Sequence, residues 1–201
     1  MNFLRQFHDI VSNQEIDFSD KVIKLLEFGL EVFDLEFAIV SQVDDKLYTV
    51  IHVVAPDNAI PVGTQFDMEG TYCAHTLKAN KALSFHQASK SHIAQHPCYI
   101  NFQLESYIGA PIFVGKKVFG TVNFSAPNVS EPFSEESHDY VELFAQWLGN
   151  ELARNASSER LIKKNYMLAQ VEEVARIGSW ELDLLENKLY WSKQTKAIHE
   201  V

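Results

Sequence analysis

Residues 105–127 read ESYIGAPIFVGKKVFGTVNFSAP, and the fold is decided there. Two runs rich in Val, Ile, Phe, Tyr and Thr flank Gly115-Lys116-Lys117, a short polar turn that opens on glycine. β-branched and aromatic residues suit a pleated surface, so the stretch predicts an antiparallel hairpin. Upstream, EFAIVSQVDDKLYTVIHVV (36–54) repeats the pattern around Asp44-Asp45, which predicts a second hairpin. In front of it, DFSDKVIKLLEFGLEVFD (17–34) offers capping residues at Asp17, Ser19 and Asp20, followed by Val22, Leu25, Leu26, Gly29, Val32 and Phe33 at helical spacing. That spacing predicts an amphipathic helix with one buried stripe.

Between the hairpins the chain is less regular. After the turn-rich APDNAIPVG (55–63) come an extended piece around Gln65–Asp67, a helix expected from about Thr71 to Ala79, and a short strand in ALSF (82–85). HQASKSHIAQHPCYINFQL (86–104) is polar and histidine-rich and has no sustained period, so it is expected to be irregular. A connection of that length inside a compact domain commonly carries binding groups. From Ser134 the pattern turns helical without a proline until Arg176. The apolar stripe is dense at Val141, Leu143, Phe144, Trp147, Leu148 and Leu152, then thins around ARNASSERLIKKN (153–165) before Leu161, Met167, Leu168 and Val171. The first half is expected to pack on the domain. The second, with its thin seam, is expected to meet a partner copy as a parallel dimer stalk, a solvated linker helix being the alternative. GSWELDLLENKLYWSKQTKAIHEV (178–201) predicts strand, turn at Glu186-Asn187, strand and the start of a helix. Two strands do not fold alone, so this is expected to open a further domain.

Composition limits the functions available. The chain has 201 residues, 46% of them apolar, enough for one complete domain and part of a second. With 27 acidic against 17 basic residues its net charge is −10, which disfavours nucleic acid and anionic membranes as partners. Cys73 and Cys98 are the only cysteines, too few for a disulfide framework, and no run has signal-peptide length or the roughly 18–20 apolar residues of a membrane span. A soluble protein of the reducing cytoplasm is the expectation.

The order helix, hairpin, helix with YCAHTL (72–77), long loop, ESYIGAPIFVGKKVFGTVNFSAP and EPFSEESHDYVELFAQWLGNEL (131–152) resembles a GAF domain. The most specific pieces are SYIGAPI and GKKVFGTVNF, with Tyr72-Cys73-Ala74-His75 in place of the related lettering FCAH. The tail ARIGSWELDLLENKLYWSKQTKAIHEV (175–201) is similar to the opening of a PAS domain, through Gly178, Trp180 and Tyr190 to Ser192. Together these imply a GAF sensor domain over 1–155, a signalling helix over 156–176 and the N-terminal fragment of a PAS domain over 177–201. The GAF resemblance implies an α+β fold with a central antiparallel sheet of about six strands, helices on its faces, and a pocket between sheet and irregular loop. It also implies a sensory role upstream of a cyclase or histidine kinase output.

The ligand is not implied, because one fold hosts many functions. The Asn-Lys-Phe-Asp-Glu set of cyclic-nucleotide-binding members has no counterpart in EPFSEESHDY. Bilin-binding members have histidine directly after the attachment cysteine, whereas here Ala74 intervenes and turns Cys73 and His75 about 200° apart on a helix. Cys73, His75, His86, His92, His96 and Cys98 match no common zinc spacing, so no metal is expected. Some GAF proteins reduce free methionine sulfoxide with cysteine thiols, and Cys73 with Cys98 keeps that enzymatic alternative open. A ligand-free structural dimerisation module is the other alternative. The reading favoured is a non-enzymatic domain for a small molecule of unknown identity, with no catalytic residues and no assigned cofactor. Its pocket is expected to be lined from Tyr72, Cys73, His75, His86, Tyr99, Phe102, Tyr107 and Ile108.

Overall fold

A computed structural model describes residues 2–199; Met1 at the start of the expected sensor domain, and Glu200 and Val201 at the end of the expected PAS fragment, lie outside the described residues. The chain divides into two compact units, Met1–Ala153 and Arg154–Val201.

The first unit is built on a six-stranded antiparallel sheet. Its strands are β1 (Phe37–Asp44), β2 (Leu47–Val54), β3 (Gln65–Asp67), β4 (Leu83–Phe85), β5 (Ser106–Val114) and β6 (Lys117–Ala126), in the spatial order β3-β2-β1-β6-β5-β4. The two hairpins expected from sequence are β1–β2, turning at Asp45-Lys46, and β5–β6, turning at Gly115-Lys116. Left-handed residues, Asp45 with φ 52° and Gly115 with φ 63°, open both turns. Both hairpins also carry a bulge. Pairing shifts from Val40↔His52 to Ser41↔Val50, and from Ile112↔Gly120 to Phe113↔Val118. At the second bulge a Cβ on Gly120 would overlap the Ser41 carbonyl, so only glycine lets β1 and β6 approach there.

The helices are α1 (Phe3–Ser12), α2 (Phe18–Phe33), α3 (Cys73–Ala79), α4 (Pro97–Phe102) and the long α5 (Glu135–Ala175). Of the three capping candidates for α2, Asp17 is the one used, accepting from the Asp20 N–H at 2.8 Å. Two helices were not anticipated. α1 buries Phe3 against the rings of Phe28 and Phe144. α4 interrupts the segment expected to be irregular: Pro97 takes its first position, where the missing N–H costs nothing, and His96 Nδ1 accepts from the Cys98 N–H at 3.1 Å.

Alternation along the central strands buries both faces of the sheet. One face carries Val40, Ile108, Ile112, Val122 and Phe124, which meet Leu25, Leu26 and Phe33 of α2 and Phe144 and Leu148 of α5. The other face carries Ile39, Tyr48, Val50 and Tyr107, which meet Tyr72 and Cys73 of α3 and Cys98 of α4. A strand with two buried faces is usually apolar throughout. β6 is not: Val122, Phe124 and Ala126 point to the helices, while Thr121, Asn123 and Ser125, equally buried, point the other way.

In the second unit, the last part of α5 leads to the antiparallel pair β7 (Trp180–Asp183) and β8 (Lys188–Trp191), then α6 (Lys193–His199). The Thr195 hydroxyl donates to the Ser179 carbonyl at 2.6 Å and fixes the start of α6 to the start of β7. Leu161, Leu168, Val171 and Val174 on α5 and Trp180, Leu184 and Leu185 beyond it are exposed. No helix among the described residues is long and apolar enough to cross a membrane.

Candidate functional site

On the face of the sheet away from α2, a cavity of about 500 Å³ opens between β1, β2, β5 and β6 and the α3 and α4 segments. Its floor is the sheet: Ile39, Tyr48, Tyr107, Asn123 and Ser125. Its walls come from Cys73 and Tyr72 at the start of α3, Cys98 and Phe102 on α4, and the 59–66 segment with Ile60 and Phe66. Helix geometry selects the α3 contribution. Residues two apart project about 200° from one another, so Cys73 faces the cavity while His75 turns away toward Phe85 and His96.

A hydrogen-bond network fixes the floor. Tyr107 Oη lies 2.7 Å from Thr76 Oγ1 and donates to Cys73 Sγ at 3.5 Å, tying β5 to α3. Asn123 donates from Nδ2 to Tyr48 Oη at 3.1 Å, and Ser41 Oγ lies 2.9 Å from Thr121 Oγ1. Tyr72 donates to the Leu104 carbonyl at 2.9 Å, which anchors α3 to the chain entering β5. Desolvation dominates the ionisation of these groups. Burial pushes the Tyr48 and Tyr107 phenols well above their usual range and raises the Cys73 thiol. The Cys98 thiol is pushed up to about 12, again by burial first and then by its neighbour Cys73. At neutral pH both cysteines are therefore thiols, whereas attack on sulfur needs a thiolate.

The residues expected at the site divide into two groups. Tyr72, Cys73, Phe102 and Tyr107 line the cavity. Ile108 does not. It is fully buried on the opposite face, against the helices, because neighbours on a strand cannot share a face, and Tyr107 takes the cavity side. His86 is exposed, and its carbonyl accepts from the Ser130 N–H at 3.1 Å. Tyr99 points off α4 to donate to Glu105 at 3.1 Å. His75 is packed beside His96, ring centroids 4.9 Å apart, and its buried Nε2 has no hydrogen-bond partner among the described residues. Burial first, and then the neighbouring His92 and Lys78 side chains, lower the His75 pKa and so favour its neutral form. Among the described residues no three His, Cys, Asp or Glu side chains are grouped so as to hold a metal ion.

Several lining residues were not anticipated: Ile39, Tyr48, Phe66, Asn123 and Ser125; Cys98, named from sequence as the partner thiol of Cys73 rather than as a lining residue, lines the cavity as well. Asn123 and Ser125 did leave a signal. TVNFSA (121–126) alternates polar and apolar residues inside a strand flanked by apolar runs, and a buried polar row is what a pocket floor requires.

Comparison with known proteins agrees with this architecture. Residues 19–152 match the GAF domain family. The fold is similar to the phycocyanobilin-bound GAF domain of a cyanobacterial phytochrome, at 14% identity and TM-score 0.62, over 77% of this chain and 95% of that one. It is also similar to the GAF domain of an Acinetobacter phosphoenolpyruvate-protein phosphotransferase, at 15% identity and TM-score 0.62, over 79% and 97%. The photosensory core module of Stigmatella aurantiaca phytochrome aligns with 92% of this chain, at 13% identity and TM-score 0.67, and 43% of its own length is covered. No curated protein sequence matches the chain. The family match covers two thirds of the residues, and the six-stranded sheet and its helices agree with it: the chain belongs to the GAF domain family.

Proposed function

We propose that residues 1–155 form a small-molecule sensor whose cavity state is passed through the sheet to α5. GAF domains act as small-molecule-binding sensory and regulatory modules in signalling proteins. The observation that carries the reading is the cavity itself, formed by residues that alternate with the α5 contacts. On β6, Asn123 lines the cavity, and its neighbour Phe124 packs on Phe144 of α5 with ring centroids 5.9 Å apart. A ligand that displaces the floor displaces that contact, and it shifts the population of α5 arrangements to the extent that it binds them unequally.

Beyond Ala153, Leu161, Leu168 and Val171 recur on α5 at spacings of seven and three and are exposed. That pattern supports a homodimer through this helix, the signalling segment of residues 156–176. The output would follow a PAS domain beginning near residue 177, for which β7, β8 and α6 supply an opening, and would be a cyclase or a histidine kinase. The protein would work in the cytoplasm, without nucleic acid or membrane partners. Against the ligand-free alternative stands a cavity in the size range of small-molecule sites, about 300–1,000 Å³. Against methionine sulfoxide reduction stand two thiols whose burial opposes ionisation.

The test compares the purified protein's mass under native and denaturing conditions, with sedimentation of the Leu161→Ala/Leu168→Ala double variant. Mass lost on denaturation and a weakened dimer are expected. A dimer untouched by the double substitution would remove the stalk.

A further inference from the structure

The cavity is charged with no ionic group. None of its lining side chains, all among the described residues, belongs to Lys, Arg, His, Asp or Glu. Tyr48, Phe66, Tyr72 and Tyr107 supply ring surface on several sides; the Thr64 and Thr71 hydroxyls are bonded to the Pro61 and Met68 carbonyls, and Asn123 and Ser125 stand on the β6 floor. Two polar atoms of that floor are unspoken for. Asn123 donates through Nδ2 to Tyr48, and no hydrogen bond reaches its Oδ1 from the described residues. Ser125 lines the cavity, is 4% exposed, and its hydroxyl likewise has no partner among the described residues. Since β6 side chains two apart stand on one face, the two groups form a short polar row on a floor and between walls that are otherwise largely aromatic.

Resting on the sensor reading above, we infer that the cavity is built for an uncharged, ring-containing molecule bearing an amide or hydroxyl group. The ring lies among the aromatic walls, and the ligand's N–H or O–H donates to Asn123 Oδ1 with Ser125 Oγ beside it. An anion would enter a buried site without a cation to meet it, in a chain of net charge −10, and would lose its hydration without compensation. A cation would gain the ring faces but find no carboxylate. An uncharged ligand avoids both losses. It also pairs two polar atoms of the cavity floor that have no partner among the described residues, and a site with such atoms favours ligands that can bond to them.

Four probes share one ring and differ in charge and polarity: indole-3-acetamide (uncharged), indole-3-acetate (anion), tryptamine (cation) and indole (no amide). Each is titrated into the full 201-residue protein, with binding read by calorimetry and by amide shifts along β6. Indole-3-acetamide is expected to bind at least ten-fold more tightly than the acetate and tryptamine. Ser125→Ala and Asn123→Leu are expected to weaken indole-3-acetamide several-fold and to weaken indole, whose one donor is its ring N–H, by less. Ser125→Ala keeps the Asn123–Tyr48 bond and so serves if Asn123→Leu does not fold. If the acetate or tryptamine binds as well as the amide, the ligand class is wrong and the cavity remains a binding site. If the amide holds no advantage over indole, the polar row has no recognition role. If none of the four shifts β6, the uncharged-ring proposal is overturned. The sensor reading is judged apart from it, by the mass comparison above.

Discussion

Tyr107 joins the floor of the cavity to its wall, and removing its hydroxyl tests whether that join is a hydrogen bond or mere proximity. In Tyr107→Phe the ring stays and only Oη is lost. Thr76 Oγ1, 2.7 Å away and fully buried, loses its partner, and Cys73 loses a weak one at 3.5 Å. A buried polar group left unpaired costs about 1–3 kcal/mol. The lower half of that range is expected, because a helical threonine can turn its hydroxyl to the carbonyl one turn back, here that of Tyr72. Thr76→Val should cost no more than this, since it leaves the phenol with only its weak bond to Cys73 Sγ. Removing both hydroxyls leaves neither group stranded, so the double variant should cost less than the sum by about 1 kcal/mol. Urea denaturation followed by tyrosine fluorescence reads this directly. With a slope of about 2 kcal/mol per molar urea, each single variant lowers the midpoint by about 0.5–1 M, and the double by about 0.5–1.5 M where simple addition would give about 1–2 M. Costs that simply add, within about 0.3 kcal/mol, would show that the two hydroxyls do not bond and that α3 is held to the sheet by packing alone. The same hydroxyl explains residue 109, where a Cβ would overlap Tyr107 Oη, so Gly109→Ala should mimic Tyr107→Phe in sign.

Stability should fall on acidification below about pH 6.5. The pKa values of His75 and His96 are lowered from the ordinary value of 6.5, first by burial and then by the unfavourable approach of a second imidazole to each ring, so the unfolded chain takes up protons before the folded one does. Their contribution is complete above pH 6.5 and is lost as pH falls from there toward the depressed folded values; His96→Asn, which keeps a capping side chain, should flatten that slope in urea melts at pH 7 and pH 5, and an unchanged slope would exonerate His96. Gly120→Ala should drive a Cβ into the Ser41 carbonyl, costing about 3 kcal/mol and lowering the melting temperature by about 6–12 °C, and a change within about 2 °C would mean that the bulge relaxes freely.

The parts of the fold legible in sequence are those where one local signal dominates. Asp17 with the apolar stripe from Val22 to Phe33 specified α2, and the turn residues Asp44-Asp45 and Gly115-Lys116-Lys117 specified two hairpins, the first of which turns one residue later, at Asp45-Lys46. α4 has only six residues, too few for a period, and its start is marked by a histidine acting through Nδ1, an uncommon cap. α1 is held by rings of Phe28 and Phe144, which are distant in sequence. The site was legible around Tyr72-Cys73 and Tyr107, where residue type alone pointed inward. Ile108 was misplaced because residue type was read without strand alternation. Asn123 and Ser125 were passed over because polar residues in a strand ordinarily face water, and here a second layer covers them. The cavity's volume is set by how α3, α4 and the 59–66 segment stand off the sheet, a tertiary quantity with no local sequence correlate.

The two-faced pattern of β6 also bears on how reliably the chain reaches this fold. A central strand that is apolar on both sides can slide by one residue against its neighbours with little loss, since either row satisfies either core. In β6 a one-residue slip would thrust Thr121, Asn123 and Ser125 among Phe33, Phe144 and Leu148, and turn Val122 and Phe124 toward the groups that now bond to Asn123. Every slip of the sheet's middle by an odd number of residues is thus penalised by several buried polar groups at once. The residues that give the cavity its floor also act as a proofreading code for strand pairing. Variants that make that floor wholly apolar should therefore misfold or aggregate during refolding more than their native contacts would indicate.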